Sequence, residues 1–361
     1  MKVFNVLFNN IAVTIKPFIK RIVFIISNLK NMRNYLRSLL LILLSTVVLI
    51  RCKSVDGTIS PAYVCPANRF VTEQFSFVTS TVQYNTAIDY TGKTVNLQMD
   101  INSPSSDTLR QRPLIIYCHG GDFTSGARNN AWSNKFCQSF AKRGYVTASI
   151  DYRMGIGTNG DNDVLSAQIL AVQDAKAAVR YFKQTAIEQG NPYRIDTAQI
   201  FIAGESTGAM VALQMGYLNS GTEFSEIADP SLLYLLNGIE GLTTLPYSSK
   251  VAGVISLSGA ILDLNWLNNG ALPVIMVHSS TDAVTPYKLG IAMPYTSAPA
   301  WGSFSIDSAA TAGGRVVSAL HTFNRAGTTP YINSTKYADS TINYVAQELY
   351  GLINCQRLGQ R

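Results

Sequence analysis

The stretch that decides the fold is IFIAGESTGAMVAL, residues 200–213. It begins with a short apolar run, typical of a buried strand, and ends in the apolar start of a helix. Between them lies the G-x-S-x-G pentapeptide Gly204–Gly208. Alone this pentapeptide is a weak signal, because small residues are common in a chain with 26 glycines. Between a strand and a helix, it predicts a nucleophile elbow, a tight turn that exposes the hydroxyl of Ser206.

Outward from this stretch, short apolar runs alternate with helical patterns. Two alternating segments, Val82–Tyr90 and Thr94–Ile101, predict an antiparallel hairpin. The later runs are continuously apolar, which is typical of strands covered on both faces. We therefore predict an α/β fold with a mostly parallel central sheet flanked by helices. After the hairpin, the predicted elements are strand Pro113–His119, helix 131–143, strand Tyr145–Asp151, helix 163–188, strand Gln199–Ala203, helix 207–217, strands Val251–Leu257, Pro273–His278 and Arg315–Phe323, and helix 336–350.

A second motif, His119-Gly120-Gly121-Asp122-Phe123, stands at the end of a predicted strand. With it, the chain resembles the α/β-hydrolase superfamily, and within it the HGG-type carboxylesterases and lipases akin to hormone-sensitive lipase. The resemblance covers roughly residues 82–352, and its motifs occur in the family's order at predicted strand ends. The stretches that carry it are Leu114–Phe123 with Gly126, Asp151–Arg153, Gly204–Gly208 and His278–Pro286.

The resemblance implies a serine hydrolase that acts on small-molecule carboxylic esters through an acyl-enzyme on Ser206, without a cofactor. It also implies that Asp282, after a predicted strand, is the acid of the catalytic triad, which orients an imidazole. The amides of Gly120, Gly121 and Thr207 are expected to form the oxyanion hole. The aspartate at position 122 replaces a third glycine that many members carry, and we expect its carboxylate to turn outward or to cap a helix.

The triad base is the weak point of this assignment. The chain has three histidines, of which His119 and His278 are interpreted as structural. In this family the catalytic histidine follows Ala-Gly after the last strand, and Thr328 occupies that position here. A threonine hydroxyl keeps its proton near neutral pH, so it cannot replace an imidazole. His321 lies seven residues earlier, a stretch that spans at most roughly 23 Å.

Three explanations stay open at this point. The protein is an impaired hydrolase that still binds ligands or partners; or His321 reaches Ser206 through a rearranged loop; or Thr328 is a substitution in an otherwise active lineage. We assign Ser206, Asp282 and His321 as the candidate catalytic residues.

The chain has a formal net charge of +7, and a basic balance of this kind is common in proteins that bind nucleic acids. Its distribution along the chain indicates otherwise. Residues 1–53 carry nine basic residues and no acidic ones, whereas the rest of the chain carries 20 basic and 22 acidic residues. The basic excess therefore belongs to the leader, and a nucleic-acid partner is not expected. No oligomeric state is indicated.

The leader 1–53 is typical of an export signal. Basic residues precede the apolar run Leu39–Ile50, which is short for a membrane span, and we predict a signal sequence over 32–51. Met32 is the expected start of translation. Cys52 resembles the acylated cysteine of a lipoprotein, although Arg51 stands where a small residue is usual. We therefore expect an exported protein, with the leader or Cys52 as a membrane anchor, or cleavage near this point.

Behind the leader we expect an N-terminal segment, 54–81, and a hydrolase domain, 82–355, in which 219–249 is either a small cap or a long loop. Cys118 and Cys137 are interpreted as buried thiols. Cys65 and Cys355 flank the domain, and they are either bridged or unpaired. The three scattered histidines and the absence of C-x-x-C spacing predict no metal site.

Overall fold

The computed structural model describes residues 65–66, 68–243 and 245–358. The predicted leader 1–53, with its signal sequence 32–51 and Cys52, lies outside these residues, as does the predicted N-terminal segment up to residue 64.

The strands of the described part of the chain are β1 Phe77–Ile88, β2 Thr94–Pro104, β3 Arg112–Cys118, β4 Val146–Ile150, β5 Ile195–Glu205, β6 Gly253–Leu257, β7 Ala260–Ile261, β8 Val274–Ser279, β9 Leu289–Ile291, β10 Pro299–Gly302 and β11 Ser318–Phe323. Eight of them form a central sheet with the strand order β1-β2-β4-β3-β5-β6-β8-β11. A small antiparallel sheet has the order β7-β10-β9. The α-helices are α1 Ala131–Lys142, α2 Asp161–Glu188, α3 Thr207–Tyr217, α4 Gly221–Phe224, α5 Pro230–Leu235, α6 Ser303–Gly313, α7 Pro330–Asn333, α8 Thr335–Leu352 and α9 Cys355–Leu358, and a 3₁₀ helix covers Leu264–Asn269.

The predicted hairpin and parallel sheet are confirmed. β1 pairs antiparallel with β2, and β2 pairs antiparallel with β4. From β4 to β11 all neighbouring strands are parallel. The carboxyl ends of these six strands therefore meet at one edge of the sheet, where ligand sites of open α/β sheets are found.

The central strands are buried on both faces, as their continuous apolar runs predict. Alternate residues of β3 and β5 point to opposite sides, so that Ile116 and Ile202 join the core under α2 and α3. Tyr117 and Ala203 join the core under α1 and α8 on the other side. The two helix layers therefore hold the sheet from both faces and fix the strand ends that carry the site.

A disulfide joins Cys65 to Cys355, with 5.5 Å between their Cα atoms. It links the first described residue to the last short helix, across a sequence separation of 290. The bridged alternative is the one the structure shows. Cys118 and Cys137 are free and buried, as expected.

Segment 219–249, expected as a cap or a loop, contains the short helices α4 and α5. Its later part lies along α2, where the Gln173 side chain donates to the carbonyl oxygens of Leu236 (2.7 Å) and Gly238 (2.6 Å). Within the described residues, no hydrogen bond or ion pair joins this segment to Ser206.

Among the residues the structure describes, none of the helices combines the length and apolarity required to cross a bilayer. No group of three or more His, Cys, Asp or Glu side chains in the same residues is arranged to hold a metal ion.

Candidate active site

The strand-to-helix turn forms at the residues where the sequence predicts it. β5 ends at Glu205, α3 begins at Thr207, and Ser206 between them has φ 52° and ψ −122°. A serine in this left-handed region is strained, and such strain is typical of an exposed nucleophile on a sharp turn. Ser206 is partly exposed, and its amide donates to the Leu257 carbonyl of β6 at 2.9 Å.

The two glycines of the elbow are required by close backbone contacts. A Cβ on Gly204 would lie 2.2 Å from the Gly208 carbonyl oxygen. A Cβ on Gly208 would lie 2.2 Å from the carbonyl oxygen of Cys118, at the end of β3. Helix α3 therefore packs directly against the strand that leads into the His119-Gly120-Gly121 loop.

That loop passes beside the serine, because a Cβ on Gly120 would lie 3.2 Å from the Ser206 Cβ. The amide of Asp122 donates to the Thr207 side-chain oxygen at 3.2 Å, which ties the loop to the start of α3. Within the described residues, nothing accepts a hydrogen bond from the amides of Gly121 or Thr207. Both amides are therefore unpaired in the described part of the chain, as the donors of an oxyanion hole must be.

The expected contribution of Gly120 to the oxyanion hole needs correction. Its amide donates to the Glu205 carboxylate at 3.0 Å, so it is not available to a substrate oxygen. The sequence could not reveal this contact, because it depends on the direction in which the Glu205 side chain leaves the elbow.

Glu205, the variable position of the pentapeptide, is a further part of this site that the sequence motif does not single out. Its side chain is buried, accepts from Gly120 and from the Tyr117 hydroxyl, and Tyr117 in turn accepts from Trp132 at 2.8 Å. Burial raises the pKa of Glu205 to about 8, against the opposing effect of the Gly120 hydrogen bond. The sequence signal for this buried carboxylate is an acidic residue, Glu205, at the end of an otherwise apolar strand.

The stability of the protein should fall as pH rises through the titration of Glu205. The pKa of this carboxyl in the folded protein, about 8, lies above the ordinary 4.5, so the folded state binds more protons between these values. The contribution of Glu205 to the free energy of unfolding is fully present below about pH 4.5, and it is lost as the pH rises toward 8. The variant Glu205→Gln should show a smaller loss of Tm between pH 5 and pH 9. Glu188→Gln, at an exposed carboxylate, is the control, and an unchanged pH dependence in Glu205→Gln would contradict the assignment.

Asp282 lies in the loop after β8, where the resemblance places the triad acid. One carboxylate oxygen accepts the amides of Val284 (2.9 Å) and Thr285 (3.0 Å), which holds the side chain in place. The other oxygen, Oδ2, is buried and has no hydrogen-bond partner among the described residues. An unpartnered carboxylate oxygen is the atom that would accept from an imidazole N–H.

His278 does not supply that imidazole. Its ring is fully buried, with Nδ1 2.9 Å from the Ser303 hydroxyl and Nε2 3.2 Å from the Thr285 carbonyl. Since a carbonyl only accepts, Nε2 carries the proton and donates it to Thr285, whereas the Asp282 Oδ2 is 3.7 Å from Nε2. Burial lowers the pKa of His278 to about 4, although the Asp282 charge opposes this. The ring is therefore neutral and structural, as expected.

His119 is also structural, in agreement with its interpretation. Its ring is buried, stacks on Tyr152 with 4.4 Å between centroids, and has Nδ1 2.7 Å from the Gly120 carbonyl. Burial lowers its pKa. Through its contact with the Gly120 carbonyl, His119 stabilises the loop that passes beside Ser206.

Thr328 is the residue that the resemblance places at the position of the triad histidine. Its side-chain oxygen accepts the amide of Ala283, the neighbour of Asp282, at 3.2 Å. The preceding amide, from Gly327, donates to the Thr281 hydroxyl at 3.2 Å. The loop with Thr328 therefore packs on the loop with Asp282.

The structure does not bring His321 to Ser206. His321 lies on β11, and the strand register pairs it through Val277 and Leu257 with Glu205. Three strand spacings of about 4.8 Å put roughly 14 Å between the Cα atoms of His321 and Glu205. The His321 ring instead packs against Tyr344 of α8, with 4.9 Å between centroids. The rearranged-loop explanation has no support in this arrangement.

Comparison with known proteins agrees with this architecture. The BD-FAE family model matches residues 99–269. A neuroligin-like protein, glit-1, from Caenorhabditis elegans is 27% identical over 118 residues, which are 31% of this chain; the match spans only 15% of that protein's length.

Solved structures of esterase 2 from the planctomycete Thermogutta terrifontis are similar over most of the fold. The form phosphoramylated by tabun has 20% identity and a TM-score of 0.55, and covers 78% of this chain and 97% of that one. The propionate-bound form has 20% identity and a TM-score of 0.53, and covers 78% and 96%. The fold class predicted from the sequence is thereby confirmed, and this chain has an α/β-hydrolase fold.

Proposed function

We propose that this protein hydrolyses carboxylic esters through an acyl-enzyme on Ser206. The observation that carries the proposal is the strained, partly exposed serine beside the free amides of Gly121 and Thr207. The fold is shared with an esterase that takes tabun as a covalent adduct, which supports the same reaction type here.

In the proposed reaction, the Ser206 Oγ attacks the ester carbonyl carbon, and the carbonyl oxygen becomes an oxyanion held by the two amides. The alcohol then leaves with a proton, and water hydrolyses the acyl-serine to release the carboxylate and restore the hydroxyl. The unpartnered Oδ2 of Asp282 would accept a hydrogen bond from a base and so orient it. No hydrogen bond joins any of the three histidines to Ser206 in the described part of the chain, so we expect proton removal from the hydroxyl to be the slow step.

A fluorophosphonate probe should label Ser206 covalently but slowly. The reaction needs the nucleophile and the oxyanion amides and no deacylation, but the Ser206 hydroxyl must still lose its proton without a positioned base. The labelled peptide, identified by mass spectrometry, should contain residue 206. Ser206→Ala should remove the label, whereas Ser225→Ala, on a surface turn, should keep it. Labelling that survives in Ser206→Ala would contradict the proposal.

Thr328 favours a second candidate, a hydrolase-fold protein that binds ligands or partners without turnover. Loss of one triad member leaves rates only on the order of 10³–10⁴ above water. The two candidates differ in p-nitrophenyl acetate hydrolysis by the wild-type chain. Turnover that is abolished in Ser206→Ala supports the esterase, and a wild-type rate equal to that of Ser206→Ala supports the binding protein.

We also propose that the protein is exported, on the basis of the leader and the Cys65–Cys355 disulfide. Disulfides persist mainly in oxidising compartments. Protein isolated from cells with thiols trapped by acid, then denatured and alkylated, should gain two further labels on reduction. Full labelling without reductant would contradict export into an oxidising compartment. Mass analysis of the first peptide would show whether Cys52 carries a lipid.

A further inference from the structure

A cavity of about 800 Å³ lies at the opposite end of the sheet from Ser206. Val251 and Ala252 before β6, and Pro273 before β8, lie on its wall, so it is at the amino ends of strands whose carboxyl ends face the elbow. A five-residue strand such as β6 is about 17 Å long. The cavity is therefore separate from the candidate active site.

Two buried cations line this cavity. The side chains of Lys176 and Arg180 on α2 are 6% and 4% exposed. Both bind the carboxylate of Glu240, whose own side chain is 53% exposed. Two positive charges thus share one negative charge, and a buried charge without a partner is unfavourable.

The hydrogen-bond capacity of the two cations is also in excess. Lys176 has three N–H donors, and Glu240 is the acceptor that the described residues offer it. Arg180 has five N–H donors, and its acceptors there are Glu240 and the Tyr247 carbonyl, at 3.2 Å. Several donors of a positive group are therefore left for something inside the cavity.

The rest of the wall is partly apolar, with Met215, Val251, Leu272 and Pro273 beside the polar groups. The other titratable groups that line it are Tyr217, whose hydroxyl donates to the Leu272 carbonyl, Tyr247, whose hydroxyl donates to Glu188, and Lys250. They add a further positive charge and no negative one. A volume of this size is in the range of small-molecule sites.

We propose that this cavity binds a small organic carboxylate, with its anionic group at Lys176 and Arg180 and a short hydrocarbon tail against Met215 and Leu272. The ligand carboxylate supplies the second negative charge and competes with Glu240 for the two cations. The apolar side chains of the wall favour such a ligand over inorganic phosphate, because phosphate has no hydrocarbon part to pack against them.

Calorimetric titration of the full chain with hexanoate tests the proposal, with hexanamide and inorganic phosphate at matched ionic strength. Hexanoate should bind, and hexanamide should bind about tenfold or more weakly, since a charge-assisted hydrogen bond is worth that much. Phosphate binding equal to that of hexanoate would overturn the organic-acid assignment, and absence of hexanoate binding would overturn the site.

Variants separate this cavity from product binding at Ser206. Lys176→Met should weaken hexanoate binding about tenfold or more, and Glu240→Gln, which removes the competing charge, should strengthen it. Lys135→Met, which removes a surface ion pair with Asp339 on the other face of the sheet, is the control. Binding that Glu240→Gln leaves unchanged would overturn the proposal, even if Lys176→Met fails to fold.

A crystal soaked with 6-bromohexanoate gives the position directly. An anomalous bromine peak between Met215 and Leu272 supports the proposal, and a peak only beside Ser206 overturns it. The result is independent of the proposed esterase, because Ser206→Ala should bind hexanoate in this cavity as the wild type does.

Discussion

Thr328→His should raise kcat/KM for p-nitrophenyl acetate by about 10²–10⁴-fold, the range that a positioned general base contributes. The physical reason is the position of Thr328. Its side-chain oxygen already accepts from the amide of Ala283, the neighbour of Asp282, and the buried Oδ2 of Asp282 has no hydrogen-bond partner among the described residues. An imidazole at this position can donate one N–H to Asp282 and accept the Ser206 proton with its other nitrogen.

The pH profile identifies the gain as general-base catalysis. The added activity of Thr328→His should rise with pH through an apparent pKa near the ordinary imidazole value of about 6.5, because only the neutral ring accepts a proton. Thr328→Gln is the matched control, since it fills the position with a polar side chain that does not titrate. It should show no gain.

Two results would contradict this account of the site. If folded Thr328→His is no faster than the wild type, the Thr328 loop does not stand within reach of Ser206. If the wild type is already as fast as the variant, another group serves as the base. Ser206→Ala should abolish turnover both in the wild type and in combination with Thr328→His. If either protein without Ser206 still hydrolyses the ester, Ser206 is not the nucleophile.

The sequence was sufficient for the parts of the fold that depend on local pattern. Continuous apolar runs such as 114–116 predicted strands buried on both faces, and Ile115 and Ile116 indeed enter opposite cores. The elbow was predictable because Gly204 and Gly208 bracket a serine between a strand and a helix, and each glycine meets a carbonyl oxygen that excludes a Cβ.

The parts that could not be predicted depend on directions and distances set by tertiary packing. The Gly120 amide was expected to face the substrate, but the Glu205 side chain turns back to accept from it. His321 of β11 pairs with Val277 of β8, and its ring packs against Tyr344. The side of the sheet that this ring faces depends on that pairing, which the sequence alone does not give. The disulfide stayed open because spacing along the chain does not determine the distance between Cys65 and Cys355.

Gly208→Ala should disable the site and destabilise the protein together. Its added Cβ would lie 2.2 Å from the Cys118 carbonyl oxygen and 2.4 Å from that of His119. Both contacts are with backbone, so no side chain can turn aside, and either α3 or the strand end at β3 must move. Overpacking of this kind typically lowers the unfolding free energy by about 1–3 kcal/mol, and occasionally by more. We expect the loss to lie at the upper end of this range.

The matched control is Gly351→Ala, a glycine inside α8 whose added Cβ would meet nothing within 4 Å. This change should raise the unfolding free energy by up to about 1 kcal/mol, because alanine favours the helix over glycine. Chemical unfolding measures both effects, and fluorophosphonate labelling of Ser206 reports the geometry of the site. Labelling should be slowed in Gly208→Ala even where the variant is folded, since the displaced loop carries the Gly121 amide. A Gly208→Ala protein with wild-type stability and labelling would show that α3 and the β3 loop do not pack as closely as their backbone contacts require.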